Sequence, residues 1–211
     1  RNYKQKNYQL IIIGLTGGIA SGKTTISNFF KKENIPVHDS DTVVSDLYKR
    51  PTEKLINLLN SIGLKKATTK KKINKRIISS EVFNNRAKLK RLEGFFHKEA
   101  GLSRNKFIKK NKLIRKKIIV LDIPLLFENK IEKICDFIFL AHCPLKIRIK
   151  RAMRRKKMKT QTLQKIIALQ TPELIKLKKS DFVINTSLGK SYSNRQVMAA
   201  LRIIKINTRK W

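Results

Sequence analysis

Leu10-Ile11-Ile12-Ile13-Gly14-Leu15-Thr16-Gly17-Gly18-Ile19-Ala20-Ser21-Gly22-Lys23-Thr24-Thr25 joins two patterns that are informative only together. Leu10 to Ile13 is a short unbroken apolar run, which suits a strand buried on both faces of a parallel sheet. Gly17 to Thr24 then fits Gly-x-x-x-x-Gly-Lys-[Ser/Thr] in full, and a helical pattern follows from Thr25 to Glu33 with Ile26, Phe29 and Phe30 on its apolar face. Glycines let the backbone curl so that successive N–H groups close on a polyphosphate, and the positive end of the next helix adds to that field. In such a loop Lys23 is placed to reach the β- and γ-phosphates and the Thr24 hydroxyl to hold Mg²⁺. The competing reading is a glycine turn that merely links strand to helix. The complete octet in its strand-and-helix setting favours a nucleotide cradle over Gly17, Gly18, Ile19, Ala20, Ser21, Gly22, Lys23, Thr24 and Thr25.

Outward from this loop, short apolar runs alternate with helical patterns. Ile35 to His38, Ile118 to Leu121, Phe137 to Ala141 and Phe182 to Asn185 read as further strands. Thr42 to about Leu59 is helical with a break near Arg50-Pro51, where proline restricts the residue before it. Lys65 to Lys75 reads as a solvated lysine-threonine loop, Ile77 through Ile114 as helix, and Asn194 to Ile206 as a last amphipathic helix. Five strands alternating with helices predict an α/β protein with a parallel sheet covered on both faces. The strand-poor region from about 45 to 110 has the character of an insertion between the second and third strands.

The 211 residues suffice for one domain with a sizeable core or two small ones. With 41% hydrophobic and 30% charged residues and only 8 Gly and 5 Pro, collagen-like and generally disordered classes are excluded. Fifty Lys and Arg against 14 Asp and Glu give a formal charge of +36. Such an excess invites polyanions. Its spread along the chain fits a drift in composition equally well, and charge alone leaves both readings open. The start of the chain, basic and then apolar, imitates a signal peptide, but the glycine-lysine motif occupies the supposed cleavage region, so a cytoplasmic location is expected. Cys135 and Cys143 form no Cys-x-x-Cys pair and are expected to be reduced core residues.

A phosphate cradle does not name an acceptor. Carboxylates at strand ends bear on that, because a parallel sheet places its ligands beyond its C-terminal edge. Asp122 ends an apolar strand, where an acid would hold the metal. Asp39 and Asp41 follow another strand; one would orient an acceptor hydroxyl and take its proton. For Asp39, capping of the helix that starts near Thr42 is an equal reading, whereas Asp41 favours function. A cationic segment holds Arg148, Lys150, Arg151, Arg154 and Arg155. Arg151 and Arg155 lie one helical turn apart, so that both would face one site and stabilise charge on a phosphoryl group. A solvated basic helix is the bland alternative.

Leu15 to Thr25, followed by Ile35-Pro36-Val37-His38-Asp39-Ser40-Asp41, closely resembles the start of the dephospho-coenzyme A kinase family. Ile123-Pro124-Leu125-Leu126-Phe127-Glu128-Asn129 is similar to its PLLFEN signature, and Arg151, Arg155, Gln170 and Ser180 to Ile184 to its lid and last-strand pattern. The likeness runs from about 10 to 205. It implies a P-loop NTPase-type three-layer α/β/α fold: a single domain with a core at about 8–45, 115–147 and 171–211, a helical acceptor-binding insertion at about 45–114 and a lid at about 148–170. It also implies transfer of the ATP γ-phosphate, with Mg²⁺, to the ribose 3′-hydroxyl of dephospho-CoA. Asp41 is then the base, and Lys23, Arg151 and Arg155 stabilise the moving group. Asp39, Asp41, Arg76 and His97 bind the acceptor, and Thr24 and Asp122 hold the metal. No specific nucleic acid and no membrane belong to this reading, and the chain is expected to be a monomer or weak homo-oligomer. The chain departs from the family at His97-Lys98, where proline commonly follows, at Arg155-Lys156, where aspartate does, and at Asn185-Thr186, where Asp-Asn is usual.

Two other functions fit parts of the sequence. A uridine-kinase-like enzyme shares the phosphate loop but matches the PLLFEN stretch and the Asp39/Asp41 pair less well. A basic nucleic-acid-binding protein on a nucleotide fold calls for stacking aromatics among the basic residues, yet only 7% of the chain is aromatic.

Overall fold

The apolar run before the glycine turn becomes β1 (Ile11–Gly17) in a computed structural model that describes residues 9–69, 72–83, 85–156 and 160–208. In chain order there follow α1 (Lys23–Lys32), β2 (Val37–Asp39), α2 (Ser40–Lys49), α3 (Glu53–Ser61), a 3₁₀ turn (Lys65–Ala67), β3 (Thr68–Thr69), β4 (Lys72–Ile73), α4 (Lys75–Phe83) and α5 (Arg86–Leu113). Next come β5 (Ile118–Asp122), a second 3₁₀ turn (Ile131–Ile134), β6 (Phe137–His142), α6 (Leu145–Lys156), α7 (Thr160–Ala168), α8 (Glu173–Lys179), β7 (Phe182–Asn185) and α9 (Lys190–Thr208). The chain divides into two units, one running through His38 and again from Asn111 onward, the other Asp39–Lys110.

The first unit carries the expected α/β architecture, a five-stranded parallel sheet in the order β2-β5-β1-β6-β7. Both neighbours of β1 are parallel to it, with Ile13 opposite Val120 and Phe137. Strands buried this way need apolar residues on both faces, which Ile118-Ile119-Val120-Leu121 supplies with every side chain buried. On one face Ile13, Leu15, Val120, Phe139 and Ile184 meet Ile26 and Phe30 of α1 and Val197, Leu201 and Ile204 of α9. Phe30 and Phe139 meet edge to face with centroids 5.6 Å apart. On the other face Gly14 leaves room for a close approach: a Cβ there would stand 2.8 Å from Cys135 Sγ. Cys143 is buried, and neither cysteine forms a disulfide.

The strand order fixes where a ligand can lie. From β1 the chain crosses to β2 on one side, while β6 and β7 lie on the other, so β1 borders the point where the winding reverses. Parallel sheets bind ligands in the crevice beyond the strand ends at such a point. Here those ends are the Gly17–Thr24 loop after β1 and Asp122 at the end of β5, paired across to Leu15.

The second unit has its own apolar core of Leu55, Leu59, Ile62, Leu64, Ala67, Ile78, Val82, Leu92 and Phe96. Two expectations are corrected in it. Lys65 to Lys75 is not simply a loop: Ala67 is buried, and β3 pairs antiparallel with β4, Thr68 opposite Ile73. The buried alanine and the half-buried Ile73 pin a segment whose lysines suggest only solvation. The helix expected from Ile77 through Ile114 is two helices, because the Asn85 side chain accepts from Lys88 N–H at 3.0 Å and starts α5 afresh.

Candidate active site

The glycine turn places its functional groups through backbone conformations that few residue types allow. Gly22 has φ +90° and Ala20 φ +57°, the left-handed region, and these reversals curl the loop before α1 begins at Lys23. Gly22 also lies against Thr186, where a Cβ would come within 2.9 Å of the hydroxyl. The Ser21 hydroxyl is buried beneath the loop and meets no hydrogen-bond partner among the described residues.

Lys23 forms an ion pair with Asp122, a carboxylate only 3% exposed at its side chain. Two residues predicted from separate stretches of sequence therefore meet, with cation and acid both at the mouth of the loop. Thr24 is exposed in the first turn of α1. Its hydroxyl and the Asp122 carboxylate are hard oxygen donors and fit a magnesium ion, which is held by few protein ligands together with substrate phosphates.

Around the loop stand residues that sequence reading placed only loosely. Arg148, 5% exposed, donates from Nε to the Ile19 carbonyl at 3.1 Å and from Nη1 to Glu173 at 2.9 Å. Its guanidinium lies on Gly18, where any Cβ would overlap it. Glu173 is also 2.9 Å from His142 Nδ1, and because a carboxylate only accepts, that nitrogen carries the proton. Gln170 Oε1 accepts from the Ile19 N–H at 3.2 Å. Thr186 donates its hydroxyl to the Ser21 carbonyl, and Arg151 donates to the Thr186 carbonyl at 2.8 Å and to its hydroxyl at 3.3 Å. Arg151 thus reaches the base of the loop through Thr186. The side chain of Arg155 lies outside the described residues. Arg148 shares a helical face with Arg151, a spacing signal that was available, while Glu173 and Thr186 carry no signal in sequence that separates them from ordinary surface and strand-end residues.

The PLLFEN stretch is a bracket. Thr16 donates its hydroxyl to the Pro124 carbonyl at 3.1 Å, and Glu128 accepts from Thr171 N–H at 2.6 Å and pairs with the buried Lys176 at 3.5 Å. Burial pushes the Glu128 carboxyl up, but the bond from Thr171 and the Lys176 charge outweigh it and hold it below its ordinary value.

In the Asp39–Lys110 unit, Asp39 Oδ1 accepts from the N–H groups of Asp41 at 3.0 Å and Thr42 at 3.1 Å, so it caps α2. Of the two readings open for Asp39, the geometry supplies the cap. Asp41, in the first turn of α2, is exposed, as are Arg76 and His97 on α4 and α5. No hydrogen bond or ion pair engages these three side chains among the described residues.

The sequence model of one family, dephospho-CoA kinase (CoaE), matches residues 11–190. The chain belongs to the dephospho-CoA kinase family. It is 36% identical over 190 residues to the dephospho-CoA kinase of Bartonella quintana, covering 90% of this chain and 96% of that one. With the dephospho-CoA kinase of Bradyrhizobium diazoefficiens it shares 33% over 200 residues, 94% and 98% of the two chains. Among solved structures it resembles TT1252 from Thermus thermophilus, with a TM-score of 0.77, 27% identity, and 92% and 97% of the chains covered. Membership in this family makes the phosphate loop that of a kinase that uses ATP. No helix among the described residues is long and apolar enough to cross a membrane.

Proposed function

We propose that this chain transfers the γ-phosphoryl group of ATP to the ribose 3′-hydroxyl of dephospho-CoA, giving coenzyme A and ADP in the final step of coenzyme A synthesis. The observation that carries the phosphoryl-transfer part is the Gly17–Thr24 curl at the tip of β1 with Lys23 set against Asp122. Family membership over nearly the whole chain supplies the acceptor.

The loop amides and Lys23 take the charge of the triphosphate, and the orphaned Ser21 hydroxyl adds a donor beneath them. Thr24 and Asp122 would hold a magnesium ion, which would supply positive charge against the triphosphate. Asp41 accepts the proton of the 3′-hydroxyl as its oxygen bonds to the γ-phosphorus; the bond from that phosphorus to the β,γ-bridging oxygen breaks and ADP leaves with the electron pair. Arg151 and Arg155 stabilise the transferred group, and Asp39, Arg76 and His97 belong to the acceptor side, Asp39 through the helix it caps. The helical insertion at about 45–114, most of which falls in the Asp39–Lys110 unit, binds the acceptor, and the 148–170 segment is the lid that excludes water. The reading carries a cytoplasmic, monomeric or weakly self-associating enzyme without a specific nucleic-acid partner.

A coupled assay of ADP release with dephospho-CoA and, separately, with uridine tests the acceptor. Release confined to dephospho-CoA is the expected result; release confined to uridine overturns the assignment.

A further inference from the structure

Ile19, in the phosphate loop, has its main chain gripped on both sides. Its carbonyl accepts from Arg148 Nε at 3.1 Å, and its N–H donates to Gln170 Oε1 at 3.2 Å. Arg148 and Gln170 are the first and last residues of the segment proposed as the lid, so both roots of that segment converge on one loop residue. The grip at Arg148 is built into the fold. The side chain is 5% exposed, its other guanidinium arm is held by Glu173 at 2.9 Å, and Glu173 is fixed in turn by His142 at the end of β6. Gly18 leaves the space in which the guanidinium lies. A planar fork donating in two directions is a geometry that arginine provides and lysine does not.

We propose that Arg148 and Gln170 are positioning residues that fasten both roots of the 148–170 segment to the phosphate loop through Ile19. This rests on the kinase reading above. The segment that shields the γ-phosphate is thereby held against the loop that cradles the triphosphate, and transfer to the sugar hydroxyl is kept ahead of attack by water. Loosening a root leaves Lys23, Asp122 and the loop amides in place, yet admits water. Water then bonds to the γ-phosphorus, the β,γ-bridging oxygen leaves with ADP, and inorganic phosphate is released where coenzyme A would have formed.

The experiment measures ADP and coenzyme A formed by the full chain in the same reaction, with ATP and dephospho-CoA saturating. The wild type is expected to release close to one ADP per coenzyme A. Gln170→Leu, which removes the acceptor for the Ile19 N–H, is expected to raise water-borne ADP release relative to transfer about fivefold, the factor for one neutral hydrogen bond. Gln170→Glu keeps an acceptor and is expected to restore the wild-type ratio. Arg148→Lys keeps the charge but loses the fork, and moves the ratio in the same direction as Gln170→Leu; it serves as the deciding arm should Gln170→Leu not fold. Variants that slow transfer while holding the wild-type ratio overturn this inference and leave the kinase reading standing. A wild type that forms no coenzyme A overturns both.

Discussion

The two units treat their candidate site residues in opposite ways. In the sheet unit the phosphate loop is tied at Ile19, Ser21 and Lys23 to α6, β5 and residues flanking α7 and β7. In the Asp39–Lys110 unit, Asp41, Arg76 and His97 stand exposed on helices whose packing is done by other residues. The groups proposed to bind phosphate are thus also structural groups, held in place before any ligand arrives, and preorganised donors of this kind are what make a charged transition state inexpensive to reach. Of the groups proposed for the acceptor side, Asp41, Arg76 and His97 are free of that duty, whereas Asp39 caps α2. Changes on the first side should therefore alter stability and turnover together, and changes at Asp41, Arg76 or His97 should alter turnover alone.

Lys23→Ala is expected to have the largest effect. It removes the cation for the triphosphate, costing on the order of 10²–10³ in kcat. It also removes the charge that faces Asp122, 2% exposed, a loss of at most about 3–5 kcal/mol for a fully buried pair and less here because Lys23 is 15% exposed. Urea unfolding should show the lower midpoint, and adding Asp122→Asn should recover stability but not turnover. Turnover lost with an unchanged midpoint would separate the two duties and break the comparison.

Asp41→Asn probes the other unit. Turnover is expected to fall by about 10²–10⁴, the usual worth of a positioned base, with ATP affinity kept and stability within about 0.5 kcal/mol of wild type. Calorimetric titration with ATP beside steady-state rates would check both halves; near-normal rates would move the base to another carboxylate.

Thr186 returns the test to the sheet unit at smaller scale. Its hydroxyl satisfies the Ser21 carbonyl and receives Arg151, so Thr186→Val leaves a buried loop carbonyl unsatisfied at about 1–3 kcal/mol. Thr186→Ser keeps the hydroxyl and should lie close to wild type in midpoint and in KM for ATP. Equal loss in both variants would assign the effect to packing on Gly22 instead.

These contrasts also mark how far the sequence could be read. The loop, Lys23, Asp122 and the five strands are legible because each is a local pattern, an octet or an apolar run, and local patterns survive without knowledge of neighbours. Glu173 and Thr186 matter only because distant segments fold against Ile19, Ser21 and Arg148, and no spacing in one dimension reports that. The pairing of Thr68–Thr69 with Lys72–Ile73 was hidden for a related reason: the lysines around it suggest solvation, while buried Ala67 and half-buried Ile73 hold it. Asp39 was ambiguous in sequence because the same carboxylate serves a cap or an acceptor site, and the bonds to Asp41 and Thr42 show the first of these.

That cap gives the next test. Asp39→Ala should cost about 1 kcal/mol, the common value for an N-cap, and lower turnover only as far as α2 carries Asp41 out of place. Asp39→Ser, which keeps a capping oxygen, should recover most of the stability. A turnover loss as large as that of Asp41→Asn, unrelieved by serine, would give Asp39 a direct part in the chemistry.

The smallest expected effect concerns pH and lies in the PLLFEN bracket. Thr171 and Lys176 hold the Glu128 carboxyl below its ordinary value of 4.5 against the opposing pull of burial. A group depressed in the folded chain binds protons more readily when unfolded, so its contribution is present above that ordinary value and fades as pH falls through the folded one. Glu128→Gln keeps an acceptor for Thr171 but not the charge facing Lys176. The gap in urea midpoint between wild type and this variant should therefore be widest near neutrality and should narrow at pH below 4.5. A gap that stays constant through that range would mean that Glu128 holds the end of the 148–170 segment by hydrogen bonding alone, and that the buried Lys176 draws its compensation from elsewhere.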